Sequence, residues 1–213
     1  MDKQPESFSF GGRAREPRKA TIQRKTGETE ITLTLNLDGQ GECQASTGIG
    51  FFDHMLQHIA KHGSFDLMVK ASGDLHVDDH HLVEDVGICL GRAVSQALGD
   101  RSGIQRYGDA IIPMDEALIL CVVDISGRGL LVENIETPAT RIGIFSAEMA
   151  PEFFRAVASN AGLTLHFRQL AGRNSHHIIE GAFKAFARAL KEAVKWVGDQ
   201  GVPSTKGIIE SQG

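Results

Sequence analysis

The sequence predicts an α+β fold made of two internally duplicated β-α half-domains related by a pseudo-two-fold, with mostly antiparallel sheets and helices packed on one face. Three observations carry this expectation. The pattern His-His-x-x-Glu occurs twice, as His80-His81-Leu82-Val83-Glu84 and as His176-His177-Ile178-Ile179-Glu180. A helix, a glycine, a strand and a loop precede each copy at nearly one offset: His176 follows His80 by 96 positions (176 − 80), and Glu152 follows His54 by 98 (152 − 54). Between the helical stretches lie short runs of alternating apolar residues, as in strands with one buried face. One duplication event accounts for all three.

The elements follow in order. Residues 1–18 contain Arg13, Arg15, Arg18 and several Gly/Pro breaks without periodicity, and read as a mobile tail. The first half-repeat spans 19–104. Ile31, Leu33, Leu35 and Leu37 alternate into a strand that ends at Asp38-Gly39, and a second strand covers Glu42 to Thr47. A helix from Phe51 to His62 stops at Gly63, expected as the glycine just past the helix end. Phe65, Leu67, Val69 and Ala71 form the next strand, and the first His-His helix runs from His80 to near Gly99. The second half-repeat spans 105–213. It offers strands at Ala117–Ile125 and Leu130–Asn134, a helix at Glu152–Ala161 closed by Gly162, a strand at Leu163–Gln169, and a helix from His176 to about Val197. Asp79 and Ser175, each just ahead of a His-His pair, are expected to cap these helices.

Composition narrows the function. The net charge of −5 argues against a nucleic-acid partner, since a duplex binder needs a basic surface. No apolar run reaches membrane-spanning length and no secretory h-region opens the chain. Cys43, Cys89 and Cys121 are odd in number and far apart, as expected for reduced thiols in a cytoplasmic protein that carry no metal.

The chemistry lies in the histidines. Residues four apart share a helix face, so His80 pairs with Glu84 and His176 with Glu180, while the second imidazole of each pair points about a quarter-turn away. A neighbour that cannot reach the same ion suggests two ions. Imidazole and carboxylate without thiolate suit Mn, Fe, Ni or Zn. The preceding helices add His54 and Glu152 at matching positions. Two-fold logic then assigns His54, His81, His176 and Glu180 to one ion and Glu152, His177, His80 and Glu84 to its mate. Asp78 or Asp79 is a candidate to accept an imidazole N–H. His58 and His62 share the face of His54, and His76 and His166 read as structural histidines on strands.

A second constellation is cationic. Arg106, Arg128 and Ser204-Thr205-Lys206-Gly207 lie in glycine-punctuated loops that suit an oxyanion, and Lys184 is placed to join them. There is no P-loop and no Gly-x-Gly-x-x-Gly, so a small monophosphate is the expected guest.

Gly50-Phe51-Phe52-Asp53-His54-Met55-Leu56, Asp78 to Val86, Pro113-Met114-Asp115-Glu116-Ala117-Leu118, Asn174 to Glu180 and Pro203-Ser204-Thr205-Lys206-Gly207 together resemble the imidazoleglycerol-phosphate dehydratases of histidine biosynthesis, over about residues 20–208. The resemblance implies two Mn2+ ions per active site, held at the positions of His54, His80, His81, Glu84, His176, His177 and Glu180, with Glu152 kept as the eighth ligand because a carboxylate also binds Mn. It also implies self-association into a 24-subunit shell with active sites between subunits. Where relatives often carry a His-Phe-Phe string, this chain has Glu152-Phe153-Phe154. The implied reaction is loss of water from imidazole glycerol phosphate to give imidazole acetol phosphate. The proton to be lost sits on a carbon without a neighbouring carbonyl, so cations on the imidazole nitrogens are expected to lower the ring N–H pKa and give an imidazolate that can push out the hydroxide β to it. Catalysis is expected to rest on Glu28, His80 and Glu180. The resemblance brings Glu28 to the substrate with Arg106, Arg128, Lys184, Ser204 and Lys206, the last five around the phosphate. The alternative is a non-catalytic metal-assembled scaffold, which has no use for convergent Arg106, Arg128 and Lys206.

Overall fold

The computed structural model describes residues 17–210. The first half contains β1 (Lys19–Lys25), β2 (Thr29–Asn36), β3 (Cys43–Ser46), α1 (Gly50–Gly63), β4 (Asp66–Gly73) and α2 (His80–Leu98). The second contains β5 (Tyr107–Met114), β6 (Ala117–Asp124), β7 (Leu130–Val132), β8 (Arg141–Ile142), β9 (Phe145–Ser146), α3 (Met149–Ala161), β10 (Thr164–Ala171) and α4 (Ser175–Ala193). The two four-stranded sheets share one plan, β1-β2-β4-β3 and β5-β6-β10-β7, and β8–β9 forms a separate hairpin. In each sheet the first three strands are antiparallel and the last is parallel to its neighbour.

Strand alternation sets the layers. Ile31, Leu33 and Leu35 of β2 point inward, and Thr32 between them is exposed. The long helix of each half covers its own sheet, α2 over β1 and β2 and α4 over β5 and β6. The short helices cross over: α1 packs on α4 and α3 on α2. This exchange locks the halves together and carries the histidines of α1 to the carboxylate of α4.

Packing between α2 and α3 depends on two glycines one turn apart. A Cβ on Gly87 would lie 2.8 Å from the Phe153 carbonyl oxygen, and one on Gly91 would lie 2.7 Å from that of Val157. Overpacking costs about 1–3 kcal/mol, against the ~1 kcal/mol that alanine gains over glycine inside a helix. Gly91→Ala is therefore expected to destabilise the protein in urea unfolding. A gain in stability would contradict this close approach.

The structure revises several local expectations. Residues 1–16 of the anticipated tail lie outside the described region, but Arg18 is anchored: its Nη2 meets Asp38 Oδ1 at 2.7 Å, and its guanidinium also donates to the Val194 carbonyl. Strands β1 and β5 were not anticipated. Both are edge strands with weak alternation, and Pro113 is tolerated in β5 because that strand pairs on one side only. Gly63 ends α1 for a different reason from the one expected. The left-handed residue is Ser64 (φ 55), while the Phe65 ring fills the place where a Gly63 Cβ would stand. Helix α4 stops at Ala193 rather than Val197, because residues 103–106 pair with the chain beyond it, Arg106 N donating to the Ala193 carbonyl and Gln105 N to that of Lys195. Of the two expected caps, neither acts as one. Asn174, not Ser175, accepts from the His176 and His177 N–H groups. Asp79 instead accepts from the backbone N–H and hydroxyl of Ser146, tying the start of α2 to β9. His76 lies in a turn, and His166 is on β10 but exposed.

Candidate active site

The densest group of metal-capable side chains lies where α1 crosses α4. His54 and His58, one turn apart, place their Nε2 atoms 3.1 Å from each other. Glu180, only 4 % exposed, faces them from α4. Its carboxylate lies 3.5 Å from His54, 3.3 Å from His58 and 3.1 Å from His176 Nε2, and it accepts from Lys184 Nζ. Ligand atoms of His54, His58 and Glu180 all lie within 4.8 Å of one another, the single such trio among the described residues. Burial alone would raise the Glu180 carboxyl. The Lys184 hydrogen bond and the nearby His58, Lys184 and His176 outweigh it and hold the group down to about 2. Burial, opposed by Glu180, pushes the His58 imidazole down to about 4. An ionised carboxylate beside a neutral imidazole is the form in which both bind a cation.

The other imidazoles are held by carboxylates that the sequence did not single out for them. His81 Nδ1 lies 3.1 Å from Asp74, at the end of β4, and its Nε2 lies 3.8 Å from Glu28 in the β1–β2 turn. His177 Nδ1 lies 2.7 Å from Glu116 in the β5–β6 turn, and its Nε2 lies 3.6 Å from Asp115. Hydrogen bonding to these carboxylates raises both imidazoles above their ordinary value. Glu116 is held down to about 2 by His177 and by the backbone N–H groups of Asn174 and Arg173. Asp78 and Asp79, expected in this role, are engaged elsewhere: Asp78 accepts from the His80 N–H and Asp79 from Ser146.

Within one chain the eight expected ligands therefore form separate groups. His54, His176 and Glu180 stand together, and His58, expected on the face of His54 but not among the eight ligands, joins them. His80 and Glu84 face each other at 3.8 Å, on the exposed first turn of α2. His81 and His177 keep the carboxylate partners described above, and Glu152 is ion-paired with Arg155 on its own helix. His58 carried a signal in its four-residue spacing from His54. Asp74 carried none, because only the β4–α2 loop brings it to His81. The thiols offer no competing ligand: burial pushes Cys43 and Cys89 up to about 11 and Cys121 well above its ordinary value.

The cationic loops converge on a second feature. A cavity of about 320 Å³ is lined by Arg106, Ser126, Arg128, Ser204, Thr205 and Lys206, and Glu210 lines it too. Arg106 is braced rather than loose, its Nε 2.8 Å from Asp124 and its Nη1 2.8 Å from the Pro203 carbonyl. Lys184 does not line this cavity. It sits beside Glu180 and the Met114 sulfur. Among the described residues no helix is long and apolar enough to cross a membrane.

Comparison with known proteins identifies the family. The family model for imidazoleglycerol-phosphate dehydratase matches residues 47–190. The dehydratase of Desulforamulus reducens is 58 % identical over 195 residues, covering 90 % of this chain and 98 % of its own. That of Acetivibrio thermocellus is 56 % identical over 193 residues, covering 90 % and 99 %. The crystal structure of the Staphylococcus aureus enzyme superposes with a TM-score of 0.76 at 40 % identity, covering 84 % of this chain and 99 % of that one. The Pyrococcus furiosus structure gives 0.77 at 36 %, covering 88 % and 99 %. The chain belongs to the imidazoleglycerol-phosphate dehydratase family, the hydro-lyases of histidine biosynthesis.

Proposed function

We propose that this chain dehydrates D-erythro-imidazole glycerol phosphate to imidazole acetol phosphate, with two Mn2+ ions per active site and with sites completed between subunits of a 24-subunit cytoplasmic shell. The observation that supports this best is the set of nitrogen and oxygen donors around Glu180. The carboxylate is ionised, a neutral imidazole adjoins it, no thiolate competes, and the donor types fit Mn2+. His54, His176 and Glu180 would hold one ion together with His81. His80, Glu84, His177 and Glu152 would hold the other. The separation of these groups within one chain is what a site shared between subunits requires. When bound, the ions would withdraw charge from the substrate's imidazole and ease loss of its ring proton.

The chain's own residues supply the rest. Arg128, Ser204 and Lys206, with the braced Arg106, would hold the phosphate and so fix the ring against the ions. Lys184 keeps Glu180 ionised and in place. Glu28, on the Nε2 side of His81, would move a proton at the substrate's side chain. Turnover of imidazole glycerol phosphate, combined with metal analysis of the purified protein, tests this reading. Absence of two ions per site together with absence of product would refute it. Arg128→Ala removes one charge-assisted contact worth about 1.5–3 kcal/mol, so KM is expected to rise roughly 10- to 100-fold with assembly unchanged. An unaltered KM would exclude Arg128 from the phosphate clamp.

A further inference from the structure

The two halves use their turn carboxylates differently. Glu28 immediately precedes β2 and Glu116 immediately precedes β6, so they occupy one position of the duplicated fold (116 − 28 and 117 − 29 are both 88). Both face the second imidazole of their half's His-His pair, but from opposite sides of the ring. In the second half Glu116 takes Nδ1 of His177 at 2.7 Å. In the first half that task falls to Asp74, 3.1 Å from Nδ1 of His81, and Glu28 lies 3.8 Å from Nε2.

We propose that Asp74 and Glu116 are positioning residues, each fixing the Nδ1–H tautomer and ring orientation of its histidine so that Nε2 faces the bound ion. A carboxylate on one ring nitrogen leaves the other as the lone-pair donor, and this sets the direction from which the ring can ligate. Asp74 thus relieves Glu28 of orienting duty and leaves it on the reactive side of the ring. Glu116 has no such substitute and stays bound to the imidazole. This inference rests on the assignment of His81 and His177 as ligands.

Glu116 also accepts N–H bonds from Arg173 and Asn174, so a purely structural role at the start of α4 must be separated from positioning. Metal-free protein labelled with 15N-histidine, measured by solid-state NMR at alkaline pH where imidazole is neutral, reports the tautomer without activity. Titration with Mn2+ alone reports affinity. In Glu116→Ala the His177 signal is expected to lose its Nδ1–H character, and Mn2+ affinity to fall about 10- to 100-fold. Glu116→Gln, which keeps an acceptor oxygen, is expected to restore most of both. Asp74→Ala is expected to do the same to His81, and it serves as the test should Glu116→Ala fail to fold. Unchanged tautomer and affinity in both alanine variants would overturn the positioning role, if His177→Ala still loses an ion. Full metal occupancy in His177→Ala would instead overturn the ligand assignment, and the proposal with it.

Discussion

Replacing Glu180 by alanine is expected to remove one ion per chain and to lower dehydratase turnover by at least roughly 10³-fold, since cation stabilisation of developing charge is worth several kcal/mol. Among the described residues Glu180 is the one carboxylate that His54, His58, His176 and Lys184 all contact. Its loss also leaves the half-buried Lys184 without its anion, and breaking a buried pair costs about 3–5 kcal/mol. Glu180→Gln separates the two effects, because it keeps the shape and an acceptor while removing the charge. In metal-free wild type, Glu180 titrates near 2 in the folded chain against an ordinary 4.5. A depressed folded value means that its contribution is present above about pH 4.5 and is lost as pH falls toward 2. Acid unfolding followed by circular dichroism is expected to show this loss in wild type, and a shallower fall across the same window in Glu180→Gln. Full metal content and turnover in Glu180→Gln would refute the central place given to this residue.

Helices were the most legible part of the fold, because each announces itself by period and by its ends. The start of α4 shows the limit of that reading. The cap moves by one residue, from Ser175 to Asn174, and releases Ser175 to accept the Ala139 N–H. Edge strands were less legible. In β1 only Ala20 is fully buried, and in β5 only Gly108, so alternation that depends on a buried face is muted. The candidate site was legible as far as helix spacing reaches. Four-residue intervals on single helices correctly put His176 beside Glu180, His80 opposite Glu84 and His58 next to His54. Contacts between elements far apart in sequence were legible only where the duplication placed them, as with His54 beside His176 and Glu180. Asp74 and Glu116 meet imidazoles across loops whose course depends on the whole fold. Glu152, matched to His54 by offset, has Arg155 three residues on as its nearest opposite charge, a local pairing that duplication logic ignores.

Phe153→Ala is expected to destabilise the protein by about 3–5 kcal/mol, a large part of the roughly 5–15 kcal/mol that holds a domain folded. The Phe153 ring is fully buried at the helix junction. It stands edge-on to Phe52 of α1 at 5.4 Å, stacks on Phe183 of α4 at 5.2 Å, and touches Phe154 of its own helix. It therefore joins the helices that carry His54, Glu152, His176 and Glu180, and the cavity left by alanine has no adjacent chain that can collapse into it without moving α1 from α4. Phe153→Leu fills most of that volume and should cost clearly less. Ions held only by the folded arrangement would stabilise it by mass action. Adding Mn2+ should raise the melting temperature of Phe153→Ala, and the rise should be smaller than in wild type, since a spread α1–α4 contact binds the ion less well. Equal metal-induced shifts in wild type and variant would show that the aromatic junction supports the fold without shaping the site, and the coupling drawn between the two would be wrong.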